Sequence, residues 1–255
     1  MLRKMIVPSL FLSLAIPFAI GARTPKAPAE LSAAQIADRY VQAKGGLQAW
    51  RAVQTISYSG KYEAGGKQNV ELPFLMQLKR PHKSRFETEF QGDKAIQVYD
   101  GTKGWKYRPF LGRKDVEPYS PDELKAAALD SDLDGPLVDY AAKGTQVTLE
   151  GVEKVEGRDT YKLKLTLKSG QVRHLWVDTQ SFLEVKIEGS QRRMDGRMRP
   201  VEVFYRDFKS VNGLMVPYVQ ETVVQGVKKS HKIIVENVEV NPKLDDSLFT
   251  APKSQ

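Results

Sequence analysis

The sequence predicts a mainly β protein of the α+β class, built on one long antiparallel sheet that curls and is covered by short helices. Segments with a two-residue hydrophobic period run from residue 54 to 110 and again from 146 to 240. Turn-forming pairs that contain glycine, proline or aspartate separate these segments. A helix-start signal precedes each run, at Ser32 and at Ser120. About ten to twelve strands are expected.

The helical segments begin at capping residues. Ser32 followed by Gln35 is the pattern of a capping box, and the helix it starts should stop at the glycine pair 45–46. A second short helical stretch is predicted over 47–53. Ser120, with proline next and glutamate third, starts a helical region over 124–144 that is expected to break into two pieces.

The N-terminal segment has the pattern of a secretory signal. Arg3 and Lys4 precede an uncharged run over 5–20, which is shorter than the roughly 20 residues of a membrane span. Small residues place cleavage after Ala22 or as late as Ala29. An uncleaved anchor is the alternative. We therefore expect a signal peptide over 1–22 and a periplasmic or secreted location.

A single domain over 30–255 is expected after the signal, because no linker, repeat or low-complexity tract interrupts it. The 39 Lys and Arg against 31 Asp and Glu give a formal net charge of +8, part of which lies in the signal. Such a mild excess does not indicate a nucleic-acid partner. The chain has no cysteine, which excludes disulfides, thiol nucleophiles, cysteine zinc sites and a lipid-modified N-terminal cysteine.

Signals for catalysis or metal binding are weak. The histidines His82, His174 and His231 are not at metal-ligand spacing, and the common hydrolase, zincin and nucleotide-binding motifs are missing from the sequence. Residues 130–135 resemble half of a calcium loop, but alanine stands where the loop needs a bidentate glutamate, so an acidic helix connection is favoured. We predict no enzyme, cofactor or metal, although a dispersed catalytic site remains open.

Several strands are apolar on both faces. Leu72, Phe74, Met76 and Leu78 share one face, and Leu75 lies on the other. An antiparallel sheet with only one buried face would be polar on the second, so the second face must also be covered. The helical region over 124–144 is the obvious cover. Such a shape either packs solid or encloses an apolar pocket, and the pattern alone leaves both open.

Four arginines surround a predicted hairpin tip at 195–196. They are either a solvated hairpin or a contact for anionic head groups or an acidic partner. The four are Arg192, Arg193, Arg197 and Arg199.

Seven segments together resemble the outer-membrane lipoprotein-sorting family of LolA/LolB-like periplasmic carriers. They occur in the family's order over most of the chain and contain mostly turn glycines, edge prolines and strand-end residues. The segments are Ala43-Lys44-Gly45-Gly46-Leu47 with Trp50 and Gly60, Lys79-Arg80-Pro81 before Arg85-Phe86-Glu87, 134–140, 155–163, Trp176-Val177-Asp178-Thr179, 205–217 and 240–249.

This resemblance implies a half-open antiparallel β-barrel with a lid of short helices and an apolar cavity that holds acyl chains. It implies a non-catalytic carrier or binder of lipids, acylated proteins or similar hydrophobic ligands. The alternative is an envelope protein–protein interaction module with a filled core. Nine apolar residues are candidates for the cavity wall: Phe74, Met76, Leu78, Phe86, Phe90, Trp105, Tyr107, Trp176 and Phe204.

Overall fold

The computed structural model describes residues 31–65 and 69–253, and these contain three helices and fifteen strands. The predicted signal segment lies outside the described residues. Two short 3₁₀ turns cover Pro109–Leu111 and Asp246–Phe249. The helices are α1 (Ala33–Ala43), α2 (Leu47–Ala52) and α3 (Pro121–Asp130). The strands are β1 (Thr55–Glu63), β2 (Glu71–Lys79), β3 (Lys83–Phe90), β4 (Asp93–Tyr99), β5 (Gly104–Arg108), β6 (Arg113–Pro118), β7 (Gln146–Val155), β8 (Arg158–Thr166), β9 (Val172–Asp178), β10 (Glu184–Glu188), β11 (Arg192–Met194), β12 (Arg197–Arg199), β13 (Val201–Val211), β14 (Leu214–Val224) and β15 (His231–Val240).

Thirteen of the described strands form one antiparallel sheet in the order β6-β5-β4-β3-β2-β1-β15-β14-β13-β10-β9-β8-β7. The last strand, β15, lies between β1 and β14 and so joins two meanders. The ends of this order are different strands, so the sheet is open. Strands β11 and β12 pair with each other as a separate hairpin.

The mainly antiparallel β architecture is confirmed, but the strand count is higher than the ten to twelve expected. Strand β6 was not predicted, and β11 and β12 were expected only as the hairpin around 195–196 and not as counted strands of the sheet. They are short, mostly exposed and rich in arginine and lysine, so they carry no hydrophobic alternation.

Both predicted helix starts are confirmed as capping boxes. At α1, the Ser32 hydroxyl accepts a hydrogen bond from the Gln35 amide at 3.2 Å, and the Gln35 side chain accepts one from the Ser32 amide at 2.9 Å. At α3, Ser120 and Glu123 form the same reciprocal pair. These bonds satisfy amide groups that the first helical turn leaves unpaired.

Only the first of the two helical pieces expected over 124–144 is helical. After α3 the chain runs in turns to residue 145. Gly135 and Asp139 both have positive φ angles, which a continuing helix does not allow. The Lys143 ammonium donates to the carbonyl of Gly135 at 2.8 Å and folds the segment back on itself.

The main core lies between the helices and one face of the sheet, here called the inner face. From α1, Ile36, Tyr40 and Val41 are buried in it, and Trp50 adds a side chain from α2. The sheet contributes inner-face residues from both meanders, among them Ile56, Leu78, Leu163, Leu175, Val177, Ile187, Leu214, Val216 and Val235. Burial of about 25 cal/mol per Å² of apolar surface is the main force that holds the helices on the sheet.

The end of α1 is fixed to the far side of the sheet by Lys44. Its carbonyl accepts hydrogen bonds from the Met215 amide and the Trp50 indole, both at 3.0 Å. Its ammonium pairs with Glu184 of β10 at 2.7 Å, and both side chains are more than nine-tenths buried. The next residue, Gly45, has a φ of 115°, and a Cβ there would collide with the carbonyl of Gly213. Glycine is therefore required where α1 meets the β13–β14 turn.

Two smaller clusters lie on the opposite, outer face. Ile96 and Val98 of β4 pack under Leu244 and Phe249 of the C-terminal segment. Val155, Trp176 and Val185 form the second cluster, with Phe204 against it. The strands are thus apolar on both faces because the main core lies on the inner face and these two clusters lie on the outer face.

Removing the Lys44 ammonium should destabilise the protein strongly. In Lys44→Met the Glu184 carboxylate stays buried without its partner, and we expect the free energy of unfolding to fall by about 3–5 kcal/mol. Lys44→Met combined with Glu184→Met should recover part of that loss, because no charge then remains buried. Urea denaturation of the purified protein measures both.

The matched control is Lys61→Met. Lys61 pairs with Glu71 at 3.0 Å, but both side chains are about half exposed. Exposed pairs contribute about 0–1 kcal/mol, so this variant should unfold close to the wild type. Equal losses in Lys44→Met and Lys61→Met would contradict the role given to the buried pair.

Candidate functional site

A cavity of about 1490 Å³ lies between the inner face of the sheet and the helices. Its apolar wall comes from both meanders: Tyr58, Tyr62, Leu72, Met76, Leu78, Phe86 and Phe110 on one side, and Leu175, Ile187, Val201, Val203, Val216, Val224 and Ile233 on the other. The volume exceeds the roughly 300–1,000 Å³ of ordinary small-molecule pockets. The inner face is therefore only partly filled by its own side chains.

Helix α3 forms the wall opposite the sheet. Ion pairs bind it to β5 and to the β11–β12 hairpin. Glu123 accepts from the Lys106 ammonium of β5 at 2.6 Å. Asp122 accepts from the Arg193 guanidinium of the β11–β12 hairpin at 3.1 Å. Residues 126–130 of the helix face the cavity. A ten-residue helix spans about 15 Å, so both ion pairs and the cavity-facing residues lie within this length of α3.

One buried polar group of the cavity wall is the Lys44–Glu184 pair. Three tyrosines, Tyr40, Tyr58 and Tyr205, surround it and also line the cavity. Burial raises the pKa of each phenol, and the negative charge of Glu184 raises it further. These phenols stay protonated, so each can donate a hydrogen bond in the cavity wall.

A second polar group, the Asp132–Asp134 cluster, holds the segment that follows α3. The Lys143 ammonium donates to Asp132 at 2.8 Å and to Asp134 at 2.6 Å. Arg80, at the end of β2, donates to the other oxygen of Asp134. Burial raises the pKa of Asp132 to about 6. Burial also opposes ionisation of Asp134, but Lys143 and Arg80 outweigh it and the pKa of that carboxyl falls below its usual value.

Five of the nine predicted wall residues lie on the inner face. Met76, Leu78 and Phe86 line the cavity. Phe74 stacks on the ring of Phe86, with centroids 6.0 Å apart, and Phe90 contacts the ring of Phe110 at 5.9 Å. These two support the wall without forming part of it.

The other four predicted wall residues do not line the cavity. Ala95 and Gln97 of β4 do line it, so Ile96 and Val98 face outward, and Tyr107 and Trp105 are their pairing partners. On β9 and β13 the lining residues are Leu175, Val203 and Tyr205, so Trp176 and Phe204 also face outward. The outer face buries them because other groups cover it.

Long charged side chains cover Trp176. The Lys186 ammonium lies 3.8 Å from the centre of its ring, and the indole donates to Glu153 at 2.9 Å. The apolar stems of such side chains bury aromatic surface while the charges stay in water. A hydrophobicity pattern counts lysine as polar and therefore assigns this tryptophan to a core.

The predicted arginine hairpin is confirmed as the pair β11 and β12, and its arginines separate into two groups. Arg192 and Arg193 line the cavity, whereas Arg197 and Arg199 do not. Arg193 forms the ion pair with Asp122 of α3, and Arg192 contacts the ring of His231. The exposed Met194 adjoins the cavity as well.

The histidines lie apart, and among the described residues no group of three or more His, Cys, Asp or Glu could hold a metal ion. His82 and His231 line different parts of the cavity, and His174 on the outer face contacts Glu188 at 2.8 Å. In the acidic segment resembling half a calcium loop, Asp132 and Asp134 bind Lys143 and Arg80 instead.

Apart from Arg192 and Arg193, the sequence pattern assigned none of the polar wall residues to a binding site. Tyr40, Lys44 and Glu184 meet only in the folded chain, since they come from α1 and β10. One signal was present, because Lys44 belongs to the first of the segments that resemble the carrier family.

A family model described as an uncharacterized protein matches residues 79–253, which is more than half of the chain. The chain belongs to this family. None of the curated proteins that were compared matches it.

Solved structures of low sequence identity share the fold of this chain. A LolA superfamily protein from Nitrosomonas europaea is 16% identical with a TM-score of 0.58, covering 86% of this chain and 98% of its own. A domain assigned to outer membrane lipoprotein sorting from Vibrio parahaemolyticus is 13% identical with a TM-score of 0.56, covering 84% and 94%. A DUF1329 family protein from Desulfovibrio piger is 16% identical with a TM-score of 0.56, covering 86% and 97%.

In the part of the chain that the structure describes, no helix has the length and apolar character needed to cross a membrane.

The two aspartates bound to Lys143 should affect stability in opposite directions. The raised pKa of Asp132 means that its ionisation costs folding free energy, so this penalty develops as the pH rises through about 6. At about pH 7.5 we expect Asp132→Asn to unfold at a higher temperature than the wild type, and the difference should vanish near pH 4. Thermal melts across this pH range measure it.

Asp134→Asn is the matched control for this experiment. The lowered pKa of Asp134 means that its ionised form stabilises the fold, a contribution present above its ordinary pKa and lost as the pH falls. The substitution should therefore lower stability at about pH 7.5, by about 1.5–3 kcal/mol for the charged hydrogen bonds it weakens. A shift of both variants in the same direction at that pH would refute the assignment.

Proposed function

We propose that the protein is an exported, non-catalytic carrier or binder that holds an acyl chain or a similar hydrophobic ligand in the cavity between sheet and helices. The observation that carries this proposal is the cavity of about 1490 Å³ with its apolar wall from both meanders. The alternative, an interaction module with a filled core, predicts no such cavity.

The energetics of the proposal are those of apolar transfer. Each buried CH₂ group contributes about 0.8 kcal/mol, so a chain of about a dozen buried carbons gains roughly 10 kcal/mol before ordering costs are subtracted. Such affinity needs no hydrogen bond to the chain itself. It also tolerates different chain lengths, as a carrier requires.

In this proposal α3 is the lid. Its ties to Lys106 and Arg193 involve partly exposed side chains, with exposed fractions of 12–60%. The exposed Arg193–Asp122 pair contributes about 0–1 kcal/mol, whereas the Lys106–Glu123 pair is more buried, with Lys106 only 12% exposed. The contact with Arg193 is therefore the weaker of the two that hold the helix over the cavity.

Charge placed in the apolar wall should abolish ligand binding. Met76→Asp and Ile233→Asp put a carboxylate against the proposed acyl chain from opposite meanders, and the unpaired buried charge should lower affinity for a fluorescent fatty acid at least about tenfold. Fluorescence titration of the purified mature protein measures this affinity.

The control for this titration is Val152→Asp. Val152 is 58% exposed on β7 and does not line the cavity, so this variant should bind the fatty acid like the wild type. A wild-type protein that takes up no fatty acid, and from which solvent extraction recovers no lipid, would refute the carrier proposal in favour of the filled-core module.

Export of the protein has its own test. The sequence places cleavage after Ala22 or Ala29, so protein recovered from a bacterial periplasmic extract should begin at Arg23 or Glu30. N-terminal sequencing measures this directly. A protein that retains Met1 and sediments with membranes would support the uncleaved anchor instead.

A further inference from the structure

Four charged residues in the described part of the cavity wall lie in no ion pair. Most charged wall residues belong to the ion pairs already described, such as Lys44 with Glu184 and Lys106 with Glu123. Among the described residues, the charged wall residues that lie in no ion pair are Asp130, Lys168, Arg173 and Arg192. These carry three positive charges and one negative charge. The cavity therefore has an excess of positive charge that its own side chains do not neutralise.

Arg173, Arg192 and Asp130 lie near one another. The positive charges of both arginines act on the Asp130 carboxylate. Neither guanidinium is within ion-pair distance of the carboxylate in the described structure.

The contact between Arg192 and His231 determines which ring nitrogen of the histidine carries the proton. Arg192 Nη1 lies 3.2 Å from His231 Nε2, and a guanidinium can only donate, so Nε2 accepts. The neutral ring then carries its proton on Nδ1. Burial and the charge of Arg192 lower the pKa of His231, which keeps the ring neutral. Nδ1 is buried and has no hydrogen-bond partner among the described residues.

Other buried polar atoms of the wall also lack partners. Across the described residues, four buried side-chain atoms form no hydrogen bond: Arg108 Nε, Glu184 Oε2, Ser190 Oγ and His231 Nδ1. All four belong to residues that line the cavity. Three of them can donate, and only Glu184 Oε2 is restricted to accepting. An unsatisfied buried donor destabilises the fold, and an acceptor brought by a ligand would recover that loss.

We propose that the cavity's ligand is an amphiphile whose anionic head group, a phosphate or a carboxylate, binds Arg192, Ser190 and His231. This inference rests on the proposed carrier function and names the class of its ligand. The side chains of Val201, Val203 and Ile233 continue the wall from this point and take the apolar chain. The β11–β12 hairpin thereby supplies both the anchor of α3, through Arg193, and the head-group contact, through Arg192.

The test compares amphiphiles that share one chain. Dodecyl phosphate, dodecanoate, dodecanol and inorganic phosphate are titrated calorimetrically into the mature protein at low salt. We expect the two anionic amphiphiles to bind at least about tenfold more tightly than dodecanol, because only they can form charge-assisted hydrogen bonds with the head-group residues. Inorganic phosphate, which lacks the chain, should bind far more weakly than dodecyl phosphate.

Arg192→Met and His231→Phe should remove the preference for the anionic head group without changing the affinity for dodecanol. The matched control is Arg197→Met, since Arg197 is an exposed arginine of the same hairpin that does not line the cavity. This variant should bind all four probes like the wild type.

The possible outcomes separate this proposal from the carrier function. Equal binding of dodecyl phosphate and dodecanol, or equal losses in Arg192→Met and Arg197→Met, would overturn the head-group site and leave the carrier function standing. Inorganic phosphate that binds as tightly as dodecyl phosphate would assign the site to the free anion and overturn the amphiphile. A protein that binds none of the amphiphiles would overturn both proposals.

Discussion

The rest of the structure depends on the position of Lys44. This residue ends α1, accepts hydrogen bonds from β14 and from the indole of α2, and inserts its ammonium beside Glu184 of β10. Helices α1 and α2 therefore pack on the second meander, although in the sequence they come before the first meander. The inner face is closed at this end by a buried charge pair, and apolar side chains leave space elsewhere. A buried pair adds little net stability compared with apolar packing, but it accepts only one arrangement of its partners.

Local signals predicted the elements that local forces decide. The capping boxes at Ser32 and Ser120 and the hairpin around 195–196 occur where short-range hydrogen bonds and turn preferences require them. The antiparallel strands followed from alternation and from the turns between them. The segment after α3 differed because its conformation is set by Lys143, which reaches back over several residues, and a helical period does not encode that contact.

The candidate site was less predictable, and the reason lies in the sheet's two apolar faces. Alternation shows which residues share a face, but it does not show which face meets the helices. Met76 and Phe86 face the cavity, whereas Trp105 faces the C-terminal segment and Trp176 faces lysine side chains. Two polar residues of the wall, Glu184 and Tyr40, were missed for a different reason. Glu184 and Tyr40 form their contacts over long sequence separations, and only the folded chain brings them together.

The open sheet leaves two edge strands whose outer backbone groups have no neighbouring strand, and such edges promote self-association. The chain limits this at both ends. Strand β6 carries Arg113, Lys114 and Asp115 and ends in a proline, and the pairing of β7 with β8 shifts register next to Gly151. Charge, proline and irregular register all disfavour addition of a further strand. The sheet can thus stay open enough to enclose a cavity without offering either edge as a template for a further strand.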